Sequence, residues 1–277
     1  MVVSKVGVAA QTSDRQTDLH PGSSPKLTAI ILTLNEEKHI KACVRSLAWA
    51  DEVVVFDSFS EDGTVTLAED AGATVLQSPF ENYAQQRNAA LDTVETDWVF
   101  FVDADERGTP ELAVEIREVM HEGSQNAWFI PRHNIIFGKL TLGAGWYPDY
   151  QLRLLRHGFV TFERPVHEIA VVQGESGYLQ NPLIHFNYAD KAHFQGKQLA
   201  YSSYDAGILY QEGVHVRPHH YLLQPWRQFW WRFVTLKGYT DGWHGVRLSA
   251  YMAYYEAVKY SKLARLWQEN NQSSLVE

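Results

Sequence analysis

The sequence predicts an α/β fold, with a mainly parallel central sheet, added β pieces and C-terminal helices, and three observations carry that prediction. Apolar runs at 27–34, 52–57, 73–76 and 97–102 alternate with helix-patterned segments over the first hundred residues, and such alternation makes parallel strands. Trp98 to Val102 are five β-formers in a row, as a strand buried on both faces requires, and the run stops abruptly at Asp103, Asp105 and Glu106. Polar residues also cluster where the strands end: Thr33 to Glu36, Asp57, and the pair Asp103 and Asp105. Sheets of this class bind ligands beyond the carboxyl ends of their strands.

Taken in order, residues 1–25 are rich in Ser, Thr, Gln, Gly and Pro without periodicity and are expected to form a flexible leader, with order beginning at Lys26. After the first strand, Asn35 offers an N-cap to a helix that places Ile40, Cys43, Val44 and Leu47 on one face. The second strand, 52–57, runs through a turn-rich loop at 58–64 into a helix that Gly72 stops, and a short third strand follows at 73–76. A helix over 82–93 carries Arg87 and Asn88 and precedes the central strand. Thr109, with Pro110 behind it, caps a helix reaching His121, and Gly123 ends it. Short β pieces come next at 127–130, 151–155, 159–162, 169–172 and 183–186, with a Gly- and aromatic-rich loop at 143–150 between them. Helical pattern resumes over 189–210 and 225–268. The expected organisation is therefore a leader at 1–25, one domain at 26–188 with a nucleotide half (26–125) and an acceptor half (126–188), and a helical extension at 189–277.

Composition excludes several function classes. A content of 45% hydrophobic and 21% charged residues is that of a globular protein rather than a disordered one. The single cysteine, Cys43, can form no internal disulfide, and no Cys/His spacing suggests structural zinc, so a reducing cytoplasm fits. Nothing resembles a signal peptide or an apolar run of spanning length. A formal charge of −9 argues against nucleic acid as a partner. From Gln224 onward, however, seven basic residues stand against four acidic ones.

Asp103 and Asp105, two apart at a strand end, leave the strand on one side, where they can share a divalent cation or its phosphate-bound waters. A solvated strand end would use the same residues. Neither a dinucleotide-binding glycine fingerprint nor a P-loop is present, which leaves a carboxylate-held metal as the simple device for phosphates.

Thr33 to Glu37, the stretch 51–64, Gln86 to Asn88 and Asp103 to Glu106 resemble, in order and spacing, the family-2 glycosyltransferases. Residues 145–156 and 164–168 resemble the subgroup containing lipopolysaccharide-core β-glucosyltransferases. The resemblance implies a nucleotide-sugar-binding domain of the GT-A type, a UDP-sugar donor, Mg²⁺ or Mn²⁺, and inversion at the anomeric carbon. It assigns Thr33, Leu34, Asn35 and Glu36 to the nucleotide, Asp57 to the uracil imide, Arg87 to uracil, ribose or phosphate, and Asp103 to the ribose or a metal-bound water. Asp105 would hold the metal, with Asp103 and His167 completing its shell. Asp149 is expected as general base with Glu168 as rival, and Trp146, Tyr147 and Arg153 would meet the acceptor. Each has a plainer reading: Asp57 capping its own turn, Arg87 on a solvated helix face, His167 as a structural histidine, Trp146 and Tyr147 packing their loop. The processive-synthase signature Q-x-x-R-W is absent, since Gln151 is followed by Leu152, Arg153, Leu154 and Leu155.

The expected function is transfer of a single hexose, glucose first, from a UDP-sugar to a lipopolysaccharide-core or other membrane-glycolipid or saccharide acceptor. Alternatives are transfer to polyprenyl phosphate or a polypeptide, or a non-catalytic sugar-nucleotide or glycan-binding module. Trp226, Phe229, Trp230 and Phe233 recur at helical spacing among Arg227 and Arg232. Either they form core, or they attach the protein to the cytoplasmic face of a membrane.

Overall fold

A computed structural model describes residues 7–8, 24–164 and 169–273. Its strands are β1 (Gly7–Val8), β2 (Leu27–Thr33), β3 (Glu52–Asp57), β4 (Thr74–Gln77), β5 (Trp98–Asp103), β6 (Glu106–Arg107) and β7 (Ala127–Ile130). They continue with β8 (Arg132–Ile136), β9 (Lys139–Thr141), β10 (Gln151–Arg156), β11 (Val160–Glu163), β12 (Ile169–Val172), β13 (Ser176–Tyr178) and β14 (Leu183–Tyr188). The helices are α1 (Ile40–Ser46), α2 (Thr64–Glu69), α3 (Tyr83–Leu91), α4 (Pro110–Glu122), α5 (Lys191–Gln211), α6 (Leu223–Trp230) and α7 (Trp243–Ser273). Within the expected leader, Gly7–Val8 pairs in parallel with β12; the leader's residues 1–6 and 9–23 lie outside the described residues.

Two compact units divide the chain, residues up to 132 together with 150–185, and residues 133–149 together with 186–277. The Gly- and aromatic-rich loop thus groups with the C-terminal helices rather than with the other β pieces around it.

In the first unit a seven-stranded sheet runs in the order β13, β7, β10, β5, β2, β3, β4. Strands β5, β2, β3 and β4 are mutually parallel, and β10 is antiparallel to both β5 and β7. Because successive side chains of a strand leave on opposite faces, β5 feeds two cores. Trp98, Phe100 and Val102 pack with α1 and with Leu112 and Ile116 of α4. Val99 and Phe101 pack with α3 and with Phe162, Ala170 and Val172 of the small sheet formed by β1, β12 and β11. Helix α4 starts and stops as its sequence dictates: the Thr109 hydroxyl accepts from Leu112 N at 3.2 Å, and Gly123 ends it in the left-handed region at φ 67°.

Strand β9 is antiparallel to β8 in the second unit, where Ile136, Tyr188, Phe194, Leu248 and Tyr255 form a core between α5 and α7. The helix expected over 225–268 is broken. A π turn follows α6 at Trp231–Thr235, Lys237 turns left-handed at φ 53°, and a 3-10 turn at Gly238–Asp241 leads into α7. Two glycines make the break possible. A Cβ on Gly245 would sit 1.8 Å from the carbonyl oxygen of Gly238, so the first turn of α7 lies directly on the 3-10 turn. Gly245→Ala is expected to cost at least ~2 kcal/mol through that overlap, read as a lowered midpoint in thermal unfolding. Among the described residues no helix is long and apolar enough to cross a membrane.

Candidate functional site

The loops after β2 and β3 are hydrogen-bonded to one another at nearly every position. Asn35 N donates to Ser60 Oγ at 2.8 Å, and Asn35 Oδ1 accepts from Glu61 N at 2.9 Å. Glu36 N donates to Thr64 Oγ1 at 2.8 Å, Glu37 N to Asp62 Oδ2 at 3.2 Å, and Glu37 Oε2 accepts from Gly63 N. The expectation that Asn35 caps α1 is corrected here. Asn35 is left-handed (φ 55°) and spends its side chain on the neighbouring loop, while α1 begins at Ile40 behind His39 with no side-chain cap. Thr33, at the end of β2, is buried with its hydroxyl unpartnered, and Leu34 beside it is exposed. An orphaned buried hydroxyl is a group that a ligand would satisfy.

Asp57 is fully buried and caps its own turn, accepting from Ser60 N at 2.9 Å, from Ser60 Oγ, and from Gln77 Nε2 at 3.0 Å. The turn-capping of the plainer reading is therefore observed. Gln86 of α3 braces the same loop through Ser58 Oγ, and Asn88 exchanges two hydrogen bonds with Phe162 of β11. Between them, Arg87 lies 5.1 Å from the Phe101 ring centroid and 5.4 Å from that of Phe162. It is part-buried between aromatic rings rather than on a solvated face.

The turn after β5 is held by charge. Arg153 of β10 donates to both Asp103 oxygens and, through Nη2, to Glu106 Oε1 at 2.8 Å; Arg132 reaches the same Glu106 oxygen at 3.1 Å. Glu106 in turn accepts from Asp103 N at 3.0 Å, and Arg107 donates to the carbonyls of Ala104, Glu106 and His39. The Asp103 side chain is 39% exposed. Partial burial pushes its pKa upward, but Arg153, with Arg87 and Arg132 beyond, holds it well below the usual carboxylate range. Arg153 was expected at the acceptor; the structure places it buried beside Asp103 and Glu106, with its Nη groups on their carboxylates and its Nε without a partner.

Asp105 points elsewhere, its Oδ2 lying 3.4 Å from Nε2 of His185 on β14. His167 and Glu168 lie outside the described residues. Among the described residues no group of three or more His, Cys, Asp or Glu comes together as a metal centre, and Asp103 is committed to Arg153. Asp105 and His185 nevertheless place a carboxylate oxygen and an imidazole nitrogen 3.4 Å apart, two donors of the kind a divalent ion takes. His185 and Arg132 went unnoticed in the sequence because neither sits in a recognisable spacing with its partner, while Gln86 and Glu106 were noticed only as parts of motifs, without the partners they bind here.

In the second unit, Asp149 Oδ2 accepts from Asn134 Nδ2 at 3.3 Å. Asn134, fully buried, also donates to Trp146 O at 2.8 Å and accepts from Asn187 Nδ2 at 3.0 Å. The loop is clamped at its start: Asp241 accepts from Leu142 N and Gly143 N, Leu236 O accepts from Ala144 N, and Arg232 donates to Ala144 O at 2.7 Å. Burial lowers the Arg232 pKa to about 10. Trp146 packs edge-on against Tyr188 at 5.8 Å with its ring nitrogen buried, so it belongs to the core of this unit, whereas Tyr147 beside it is exposed. A cavity of about 380 Å³ between α5 and α7, bordered by Lys191, Phe194 and Tyr251, shares none of these residues.

A mostly parallel α/β sheet with interlocked loops and an Asp-Ala-Asp turn at its carboxyl edge is a nucleotide-sugar fold of the GT-A type. Residues 28–156 match the model of the Glycosyl transferase family 2. It is 32% identical over 174 residues to the lipopolysaccharide core biosynthesis glycosyltransferase LpsC of Rhizobium meliloti, covering 58% of this chain and 63% of that protein. An uncharacterized glycosyltransferase of Rickettsia bellii is 38% identical over 104 residues, 37% of this chain and 35% of its own length. The chain thus spans between about a third and just under two thirds of the length of these curated relatives. Among solved structures, glucosyl-3-phosphoglycerate synthase from Mycobacterium tuberculosis, in complex with phosphoglyceric acid, aligns with a TM-score of 0.47 at 15% identity, over 69% of this chain and 81% of that one.

Proposed function

We propose that the protein transfers a single hexose, glucose first, from a UDP-sugar to a lipopolysaccharide-core or related membrane-glycolipid acceptor, with inversion, on the cytoplasmic side of the membrane. The observation that carries the reading is the Asp103 to Glu106 turn, where one carboxylate is locked by Arg153 while Asp105 is presented with His185. The likeness to LpsC supports the choice of acceptor.

Thr33, Leu34, Asn35 and Glu36 line the nucleotide in this reading, with Asp57 and Gln86 shaping the loop beside it and Arg87 facing the charged end. Asp105 and His185 would hold Mg²⁺ or Mn²⁺, which supplies neutralising charge to the departing diphosphate. The part-exposed edge of Asp103, beyond its pair with Arg153, orients ribose. Asp149 takes the proton of the attacking hydroxyl, and the Asn134 amide, donating to its Oδ2, orients the carboxylate. Tyr147 presents an aromatic face to the acceptor.

Purified protein incubated with UDP-glucose, Mn²⁺ and a truncated core glycolipid should yield an acceptor one hexose heavier by mass spectrometry. No product with any UDP-hexose would overturn the assignment. Asp149→Asn should lower kcat by ~10²-fold or more while UDP-sugar affinity holds. If Glu168→Gln behaves that way and Asp149→Asn does not, the base is Glu168.

A further inference from the structure

The second unit carries an apolar face that its own fold leaves uncovered. No residue of α6 is buried, although Leu222, Leu223, Trp226, Trp230 and Val234 recur on one helical stripe. Leu222 is 76% exposed, Trp226 62% and Trp230 53%, and Trp243 at the start of α7 is 87% exposed. Trp226 and Trp230 lie against each other at 6.2 Å between ring centroids, forming one patch rather than scattered side chains. The stripe is not core.

Charge says what covers it. This unit has eleven Lys and Arg against eight Asp and Glu, while the first has thirteen against twenty-five. Between Arg217 and Arg247 the excess sharpens to five basic residues against Asp241 alone, and the Asp241 carboxylate is already held by two backbone N–H groups. Arg217, Arg227, Lys237 and Arg247 are exposed. Indole rings with guanidinium and ammonium groups around them are the side chains that settle at the headgroup level of a bilayer.

We infer that α6 and the start of α7 form a peripheral docking face for an anionic lipid bilayer, lying in the interface without crossing it. The inference rests on the proposed function only for the statement that the acceptor is a membrane lipid.

Sedimentation of the full chain with phosphatidylcholine vesicles, with and without phosphatidylglycerol, tests it. Partitioning should rise by about 10-fold or more with the anionic lipid, at ~1 kcal/mol for each basic residue that reaches the headgroups, and should fall in high salt. Trp226→Ala/Trp230→Ala should lose vesicle binding while keeping its circular dichroism spectrum. Arg227→Gln/Lys237→Gln should lose only the dependence on anionic lipid. A chain that stays in the supernatant with both vesicle types overturns the inference. So does a stable dimer in light scattering that the tryptophan double variant converts to monomer without any change in vesicle binding, because the face would then be covered by a second copy. Transfer to a delipidated core oligosaccharide, assayed in parallel, reads the transferase assignment separately and should be unaffected by the tryptophan substitutions.

Discussion

Asp105→Ala should abolish transfer, lowering turnover by ~10³-fold or more, and should remove the dependence of UDP binding on Mn²⁺ while leaving the melting temperature nearly unchanged. The separation follows from where the side chain sits. Asp105 is a part-exposed carboxylate at the end of a turn, 3.4 Å from the His185 imidazole, and it belongs to neither apolar core of the first unit. What is lost is the anchor for charge on the leaving diphosphate, a preorganised electrostatic contribution that catalysis cannot recover from solvent. Calorimetric titration of UDP with and without Mn²⁺, alongside a thermal melt, measures both halves. Full activity in the variant with metal present would remove Asp105 from the site.

Arg153→Met should do the opposite, unfolding the domain more readily before chemistry is ever assayed. The guanidinium is buried between Asp103 and the fully buried Glu106, and each partner keeps it protonated against the cost of burial. Deleting it leaves Arg132 as the remaining ion-pair partner of Glu106 and takes from Asp103 the guanidinium it is hydrogen-bonded to, a change of the kind that costs about 3–5 kcal/mol. Most of that belongs to Glu106, since Asp103 is partly exposed and its share is screened by water. Urea unfolding should show the lower midpoint. The acid limb provides a second reading. Asp103 has a folded pKa below its unfolded value, so the stability it contributes is fully present above the unfolded pKa, near ~4, and is lost as pH falls through the folded value. In Arg153→Met that depression should relax, narrowing the window over which Asp103 contributes. A midpoint indistinguishable from the parent at neutral pH would mean the cluster is not structural.

The parallel sheet was legible because its strands are apolar on both faces and stop at polar residues, a pattern that survives without knowledge of partners. Contacts between distant strands were not legible. Arg153 reads in sequence only as a residue of a short β piece after the aromatic loop, with no partner indicated, yet β10 lies antiparallel beside β5 with Leu154 opposite Phe100, and that register carries the neighbouring guanidinium to Asp103. Asn35 is chemically a good helix cap, and only the position of Ser60 and Glu61 makes the other loop its better partner. The aromatic stripe was ambiguous for the same reason. Spacing shows that Trp226 and Trp230 share a face, but whether anything covers that face depends on the break at 231–242, which periodicity alone did not reveal.

The clamp between residues 232–241 and the Gly143 loop has a consequence for acceptor choice. Asp241, Leu236 and Arg232 hold the backbone of Leu142, Gly143 and Ala144, and a Cβ on Gly143 would strike Lys237 O at 2.4 Å, so the loop that carries Asp149 is bolted to the end of the aromatic helix. If that helix lies on a bilayer as inferred, the clamp acts as a depth gauge, and only sugars at one height above the lipid surface would come level with the loop. Position along a glycan would then be selected by altitude as much as by recognition of the individual residue.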